Sequence, residues 1–242
     1  MSAAVNAATG RLRTLYKSRA PYESLKGVLA ADVAVYVIGN GRSRLSALYQ
    51  DYWCMADRGM LLAVNGVGQS AELEHFHRAH LWDDGSFNWK LHASHPNLDH
   101  ALACFTNKCN SDAWVGSSNS PFVYDFGSSE DPPIGLRIVP SCSGNSAIQV
   151  AYHLGSRDIR LVGFDYAYSN GSSNVYDDLL IGVEKTIEHD GFLTNRRLLA
   201  WSVETVRLAA ALKQLGGARV RRTRWCGGLV GSLELVEVPV HV

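Results

Sequence analysis

The sequence predicts an α/β fold: one domain over residues 1–242, with a Rossmann-like, mostly parallel sheet and helices on both of its faces. Three observations point there. Val33-Ala-Val-Tyr-Val-Ile38 is a continuous apolar run that ends in Gly39-Asn-Gly41, the pattern of a parallel strand buried on both faces. Leu136 to Asp165 reads as strand, small-residue turn, helix and strand with short connections, the mark of a β-α-β unit. Two further apolar runs, Leu61–Val64 and Ala101–Phe105, end at Asn65-Gly66 and Thr106-Asn107.

The remaining elements follow in order. Arg11–Ala30 is an amphipathic lead-in interrupted at Pro21, since proline lacks the N–H that a helix interior needs. From Ser43 to Asp57, Leu45, Leu48, Tyr49, Tyr52 and Met55 recur at helical spacing. After the turn Pro140–Gly144, the helix Asn145–Leu154 sets Ala147, Ile148, Ala151 and Leu154 on one face, and Gly155 falls where a left-handed cap is wanted. Ile159–Gly163 is the next strand. A long helix, Arg196–Leu215, closes at Gly216-Gly217, and strands are expected around Arg219–Arg224 and Leu233–Val240. Residues 66–100 are rich in His and Trp and weakly periodic, and read as a lid or insertion.

Composition narrows the class. Lys plus Arg (23) equals Asp plus Glu (23), which argues against a dedicated nucleic-acid binder needing a basic excess. No run approaches the ~20 apolar residues of a membrane span. Met1–Gly10 lacks the charged start and apolar run of a secretory signal. Five scattered cysteines fit reduced thiols in a cytoplasmic protein better than a disulfide scaffold. Six of the nine histidines (His75, His77, His80, His92, His95 and His100) crowd one segment, but without established ligand spacing, so no metal site is expected. Between Thr194 and Trp225, eight basic residues face one acid, Glu204. They read as a solvated helix face and a charge-protected edge strand, or as contact with an anionic acceptor or the inner face of a membrane.

In open parallel sheets ligands sit beyond the carboxyl ends of the strands. Here those ends carry Gly39, Asn40, Gly41, Asn65, Asn107, Ser143, Gly144 and Asp165. Glycine lets a phosphate approach backbone, the helix opening after Ser143-Gly144 offers unpaired N–H groups, and the asparagines supply amides for a base or ribose. The same residues also make ordinary turns, and Asp165 is equally suited to capping local backbone groups. Neither GxGxxG nor GxxxxGK[ST] occurs. In the loop Asp165–Asp177, Tyr168 and Tyr176 are placed to donate hydroxyl hydrogen bonds to a phosphate. His189, in a loop before the last long helix, is a candidate general base.

Val37-Ile-Gly-Asn-Gly-Arg-Ser43, Pro140-Ser-Cys-Ser-Gly144 and Leu161-Val-Gly-Phe-Asp165 followed by Asn170-Gly-Ser-Ser173 resemble the bacterial CMP-sialic-acid-dependent sialyltransferases of lipo-oligosaccharides. The likeness covers Val33–Asn65 and Ala101–Asp177. Motility accessory factor proteins and archaeal-type 6-hydroxymethylpterin pyrophosphokinases share much of the pattern, and Asp190-Gly-Phe-Leu-Thr-Asn195 is closer to that branch. Pro140 stands where the sialyltransferases have an arginine.

The resemblance implies a nucleotide-dependent transferase, foremost a glycosyltransferase that moves a sugar from a CMP-sugar-like donor to a hydroxyl acceptor without an obligatory metal. It implies nucleotide contacts at Asn40, Asn65, Asn107 and Ser143, phosphate contacts at Tyr168 and Tyr176, and His189 as base. The alternatives are diphosphoryl transfer from ATP with Mg²⁺ to a pterin-like alcohol, and a nucleotide-binding module without catalysis.

Overall fold

The structure, a computed structural model, describes residues 3–69, 73, 77–82, 103–107, 122–124, 142–169 and 185–238. Among these, seven strands form one sheet: β1 Ala34–Ile38, β2 Gly59–Val64, β3 His77–Trp82, β4 Ala103–Asn107, β5 Phe122–Tyr124, β6 Asp158–Val162 and β9 Arg219–Arg222. Their order is β5-β4-β3-β2-β1-β6-β9, and every neighbouring pair is parallel. The α/β expectation holds. The strand order reverses between β1 and β6, so the sheet's topological switch point lies at the carboxyl ends of these two strands.

β1 shows why an unbroken apolar run was needed. It is wholly buried and paired on both edges, Val35 opposite Met60 on one side and Ile159 on the other. Alternate side chains then enter different cores, as the two-residue period of a strand requires. Val35, Val37, Met60 and Leu62 pack with helices α1 (Ala3–Lys17), α3 (Ser143–His153) and α4 (Arg196–Gly216). Ala34, Tyr36, Ile38, Leu61 and Ala63 pack with Tyr52 and Met55 of α2 (Tyr49–Arg58). Helices therefore cover both faces.

Several elements differ from the sequence expectation. The lead-in is helical over Ala3–Lys17 and then a separate 3₁₀ turn, Tyr22–Leu25, after Pro21. The predicted helix from Ser43 splits into a 3₁₀ turn, Arg42–Ser46, and α2. Residues 66–100 were expected to form a lid or insertion, yet the largest described part, β3, is a strand of the sheet itself. No strand forms over Leu233–Val238, where a single bridge joins Leu235 to Arg222. The strand expected at Leu136–Val139 lies outside the described residues.

The predicted helix stops are present. Gly155 and Gly217 have positive φ, 116° and 65°. At Gly155 a side chain would also run into the Leu29 carbonyl, so the position needs glycine on two counts.

Candidate functional site

The carboxyl ends of β1, β2 and β6 meet the start of α3. Asn65 follows β2, and its Nδ2 donates to the Ser143 hydroxyl at 2.9 Å, joining residues 78 apart at the first turn of α3. Asn65 holds a left-handed backbone, φ 50°, which asparagine tolerates better than most residues. Asn40 follows β1, and its Oδ1 is enclosed without a hydrogen-bond partner among the described residues. A buried carbonyl oxygen left in this way is costly unless a donor reaches it. Asn107 ends β4, with its side chain outside the described residues, and Tyr176 lies outside them altogether.

The three glycines have a different use from the one read in the sequence. A Cβ on Gly39 would sit 2.8 Å from the Gly163 carbonyl, and one on Gly41 2.5 Å from the same oxygen and 2.8 Å from the Asp165 carboxylate. A Cβ on Gly144 would sit 2.6 Å from the ring of Phe164. Their missing side chains make room for protein, a use the sequence reading does not include.

Asp165 is likewise engaged within the protein. One carboxylate oxygen accepts the Ser43 N–H at 2.8 Å, and the other accepts the Ser43 hydroxyl and the Gly227 N–H at 3.0 Å. Both oxygens are engaged by the chain, so this residue ties together the segments that follow β1, β6 and β9. The groups it caps are not local ones: Ser43 and Gly227 lie 122 and 62 residues away along the chain.

The segment after Asp165 is held from one side. Tyr166 has φ 53°, an uncommon conformation for a bulky residue and the kind of local strain found at functional sites. Its carbonyl accepts the Thr194 hydroxyl at 2.8 Å, and the Tyr168 N–H donates to the Leu193 carbonyl at 2.7 Å. The Tyr168 hydroxyl accepts from Asn195 Nδ2 at 2.8 Å. Beneath this lies a buried chain of polar groups. The Cys142 thiol is 3.7 Å from the Tyr166 hydroxyl, which is 2.9 Å from the Thr205 hydroxyl, and that hydroxyl donates to Asn145 Oδ1 at 2.7 Å. Burial pushes the Tyr166 phenol well above its ordinary value and the Cys142 thiol up to about 11. Both stay protonated near neutral pH, so Cys142 is no thiolate despite its place at a helix start.

His189 is not in a loop. It ends β7 (Ile187–His189), which pairs with β8 (Phe192–Thr194) through the turn Asp190-Gly191, both residues at positive φ, 49° and 79°. That is the two-residue hairpin for which Asp-Gly is the standard signal, and the sequence contained it. The His189 side chain is half exposed, with its Nε2 3.6 Å from the Asp190 carboxylate. β8 runs directly into Asn195, so the strand paired with His189 also braces Tyr168. Asn195 was legible too: it precedes a long helix and caps it, accepting the Leu198 N–H at 2.8 Å.

Part of the basic cluster is paired with acids of the same chain, Arg221 in a largely buried setting and Arg224 half exposed. Arg221 pairs with Asp158 at 2.6 Å, and Arg224 with Asp51 at 2.9 Å. Among the described residues no group of three or more His, Cys, Asp or Glu is arranged to hold a metal ion. Cys54, Cys104, Cys142 and Cys226 form no disulfide among the described residues. No described helix is long and apolar enough to cross a membrane.

No family model matches the sequence, and no curated protein matches it. Solved structures do share the fold. The MAf glycosyltransferase from Magnetospirillum magneticum AMB-1 superposes with a TM-score of 0.61 at 12% identity, over 96% of this chain. This chain spans only 38% of that protein's length. The sialyltransferase CstII from Campylobacter jejuni, solved in complex with a substrate analogue, cytidine-5'-monophosphate, superposes with a TM-score of 0.51 at 18% identity. That match covers 86% of this chain and 85% of the sialyltransferase. The shared feature is the α/β architecture. Neither neighbour is a pterin pyrophosphokinase, so that part of the sequence resemblance gains no support.

Proposed function

We propose that this chain is a glycosyltransferase domain that takes a nucleotide-activated sugar, with a cytidine monophosphate leaving group, and transfers the sugar to a hydroxyl acceptor. The observation that carries the reading is the meeting of Asn65 with Ser143 at the first turn of α3, beside the switch point of the sheet. Two residues read as nucleotide contacts converge at a helix N-terminus, where backbone N–H groups and the helix dipole favour an anion. The unsatisfied Asn40 oxygen nearby suits an amino group of a base. The two fold neighbours, both glycosyltransferases and one solved with cytidine-5'-monophosphate, support the same class.

In this reading Asn40, Asn65 and Ser143 hold the nucleotide. The Tyr168 hydroxyl donates to the phosphate as the bond from sugar carbon to phosphate oxygen breaks, offsetting the charge that builds there. His189, on its exposed hairpin, takes the proton from the acceptor hydroxyl as the new carbon–oxygen bond forms. Tyr176 would add a second phosphate donor.

Thermal denaturation with CMP, CDP, UDP, GDP and ATP, with and without Mg²⁺, tests the proposal. A ligand that binds only the folded state raises Tm by mass action. CMP is expected to give the largest shift, without metal. A shift from ATP with Mg²⁺ alone would move the assignment to diphosphoryl transfer, and no shift from any nucleotide would overturn it.

A further inference from the structure

The Asn195 side chain is fixed at both ends. Its Oδ1 accepts the Leu198 N–H at 2.8 Å as the cap of α4, and its Nδ2 donates to the Tyr168 hydroxyl oxygen at 2.8 Å. Turning the amide over would set an NH₂ group against an N–H, so the cap determines which end faces Tyr168. Asn195 is 3% exposed, which leaves water little chance to replace either bond. The Tyr168 oxygen is therefore an acceptor towards Asn195. A phenol has one proton, and among the described residues no acceptor takes it.

We propose that Asn195 is a positioning residue: by occupying the acceptor side of the Tyr168 hydroxyl, it fixes that hydroxyl as a donor towards the phosphate of a bound nucleotide. The idea rests on the glycosyltransferase reading above. The bracket around it is rigid for stated reasons. The Thr194 hydroxyl holds the Tyr166 carbonyl and the Leu193 carbonyl holds the Tyr168 N–H, so residues 193–195 grip residues 166–168 at three points. Because β8 carries the grip and pairs with His189, Asn195 also links the phosphate end of the site to the candidate base.

The test compares CMP with cytidine by isothermal titration calorimetry on the full chain. Asn195→Asp retains an N-cap acceptor but offers Tyr168 a carboxylate oxygen that accepts the hydroxyl's hydrogen bond and so turns it away from the phosphate. CMP affinity is expected to fall about 10- to 100-fold, the range for losing a hydrogen bond to a charged group, while cytidine affinity stays within about twofold. In a Tyr168→Phe background the same substitution should cost less than about threefold, because no hydroxyl remains to be turned. Asn195→Ser, which caps without reaching Tyr168, carries the test if the aspartate variant does not fold; a smaller loss, again confined to CMP, is expected. Equal losses for CMP and cytidine would mean a structural role and overturn the proposal. Equal losses with and without the Tyr168 hydroxyl would reduce the effect to charge repulsion and also overturn it. Failure of the wild type to bind CMP sinks the underlying reading instead, and this proposal with it.

Discussion

Asn65 donates its side-chain amide to the hydroxyl of Ser143, and so fastens the end of β2 to the start of α3 across 78 residues of chain. A helix start leaves backbone N–H groups without intrahelical partners, and here one short side-chain contact fastens the end of a strand beside it. On the proposed reading, a nucleotide phosphate bound in this corner would meet a helix N-terminus whose orientation is already set.

The first prediction concerns that contact. Ser143→Ala and Asn65→Gly should each weaken CMP binding by about 3- to 30-fold, roughly one hydrogen bond's worth, and the double variant should lose less than the product of the two. Glycine is chosen at Asn65 because φ 50° would strain alanine. Calorimetric titration of the four proteins decides it; independent, multiplicative losses would show that the pair does not act as a unit.

Tyr168→Phe removes one hydroxyl and leaves the ring. If that hydroxyl acts on a leaving phosphate, kcat should fall about 10- to 1,000-fold with little change in KM, the signature of an interaction made mainly in the transition state. Steady-state kinetics with the donor chosen by the nucleotide screen supplies the answer. A normal kcat with lowered Tm would assign the tyrosine to packing.

Asp165→Asn should act on stability first. The carboxylate accepts from the Ser43 N–H, the Ser43 hydroxyl and the Gly227 N–H, and an amide would turn a donor towards donors. The expected loss is about 2–3 kcal/mol in urea unfolding, with CMP affinity of the folded fraction little changed. The reverse pattern, full stability and lost affinity, would return Asp165 to the nucleotide site.

Gly144→Val should also destabilise before it blocks any ligand. The new Cβ would stand 2.6 Å from the Phe164 ring, which is 3% exposed and packs edge-on against Tyr166. Overpacking of this kind costs about 1–3 kcal/mol. Phe164→Leu in the same chain should restore part of the lost Tm. No recovery would mean that the ring is not what the valine strikes.

His153 should make stability depend on pH. It stacks on Tyr22 at 4.3 Å between centroids and donates from Nε2 to the Tyr22 carbonyl at 3.1 Å. Burial holds its proton affinity below the ordinary histidine value, against the raising influence of that carbonyl and of Glu23, with Lys26 adding to the lowering. Folded protein therefore binds fewer protons than unfolded chain in this window. The stabilisation is complete above the unfolded value of about 6.5 and is lost as pH falls towards the folded one. His153→Gln keeps a donor for the carbonyl but does not titrate, so urea unfolding between pH 7.5 and 5 should show a shallower decline than wild type. Parallel curves would remove His153 as the cause.

Local pattern was enough to determine the α/β class and its central elements, though not β3 or the order of the strands. The unbroken apolar run Val33–Ile38 requires burial on both faces, the helix Ser143–His153 has its apolar stripe at helical spacing, and Gly155 and Gly217 stop helices at positive φ. These are properties of a few consecutive residues, so they can be read before the chain folds. Asp190-Gly191 belonged with them: its hairpin was written in the dipeptide, although His189 was read as lying in a loop. What the tertiary structure alone decided is which polar groups meet. Asp165 lies 122 residues from Ser43, Asn65 is 78 from Ser143, and Tyr168 takes its hydrogen bond from a helix cap 27 residues on. A side-chain oxygen has no periodicity that announces its partner, and a glycine looks the same whether it makes room for a phosphate or for Phe164. Only the packing of β1 against β6, and of α3 over their ends, settled that Gly39, Gly41 and Gly144 serve close contact within the protein, because there the space a Cβ needs is already filled.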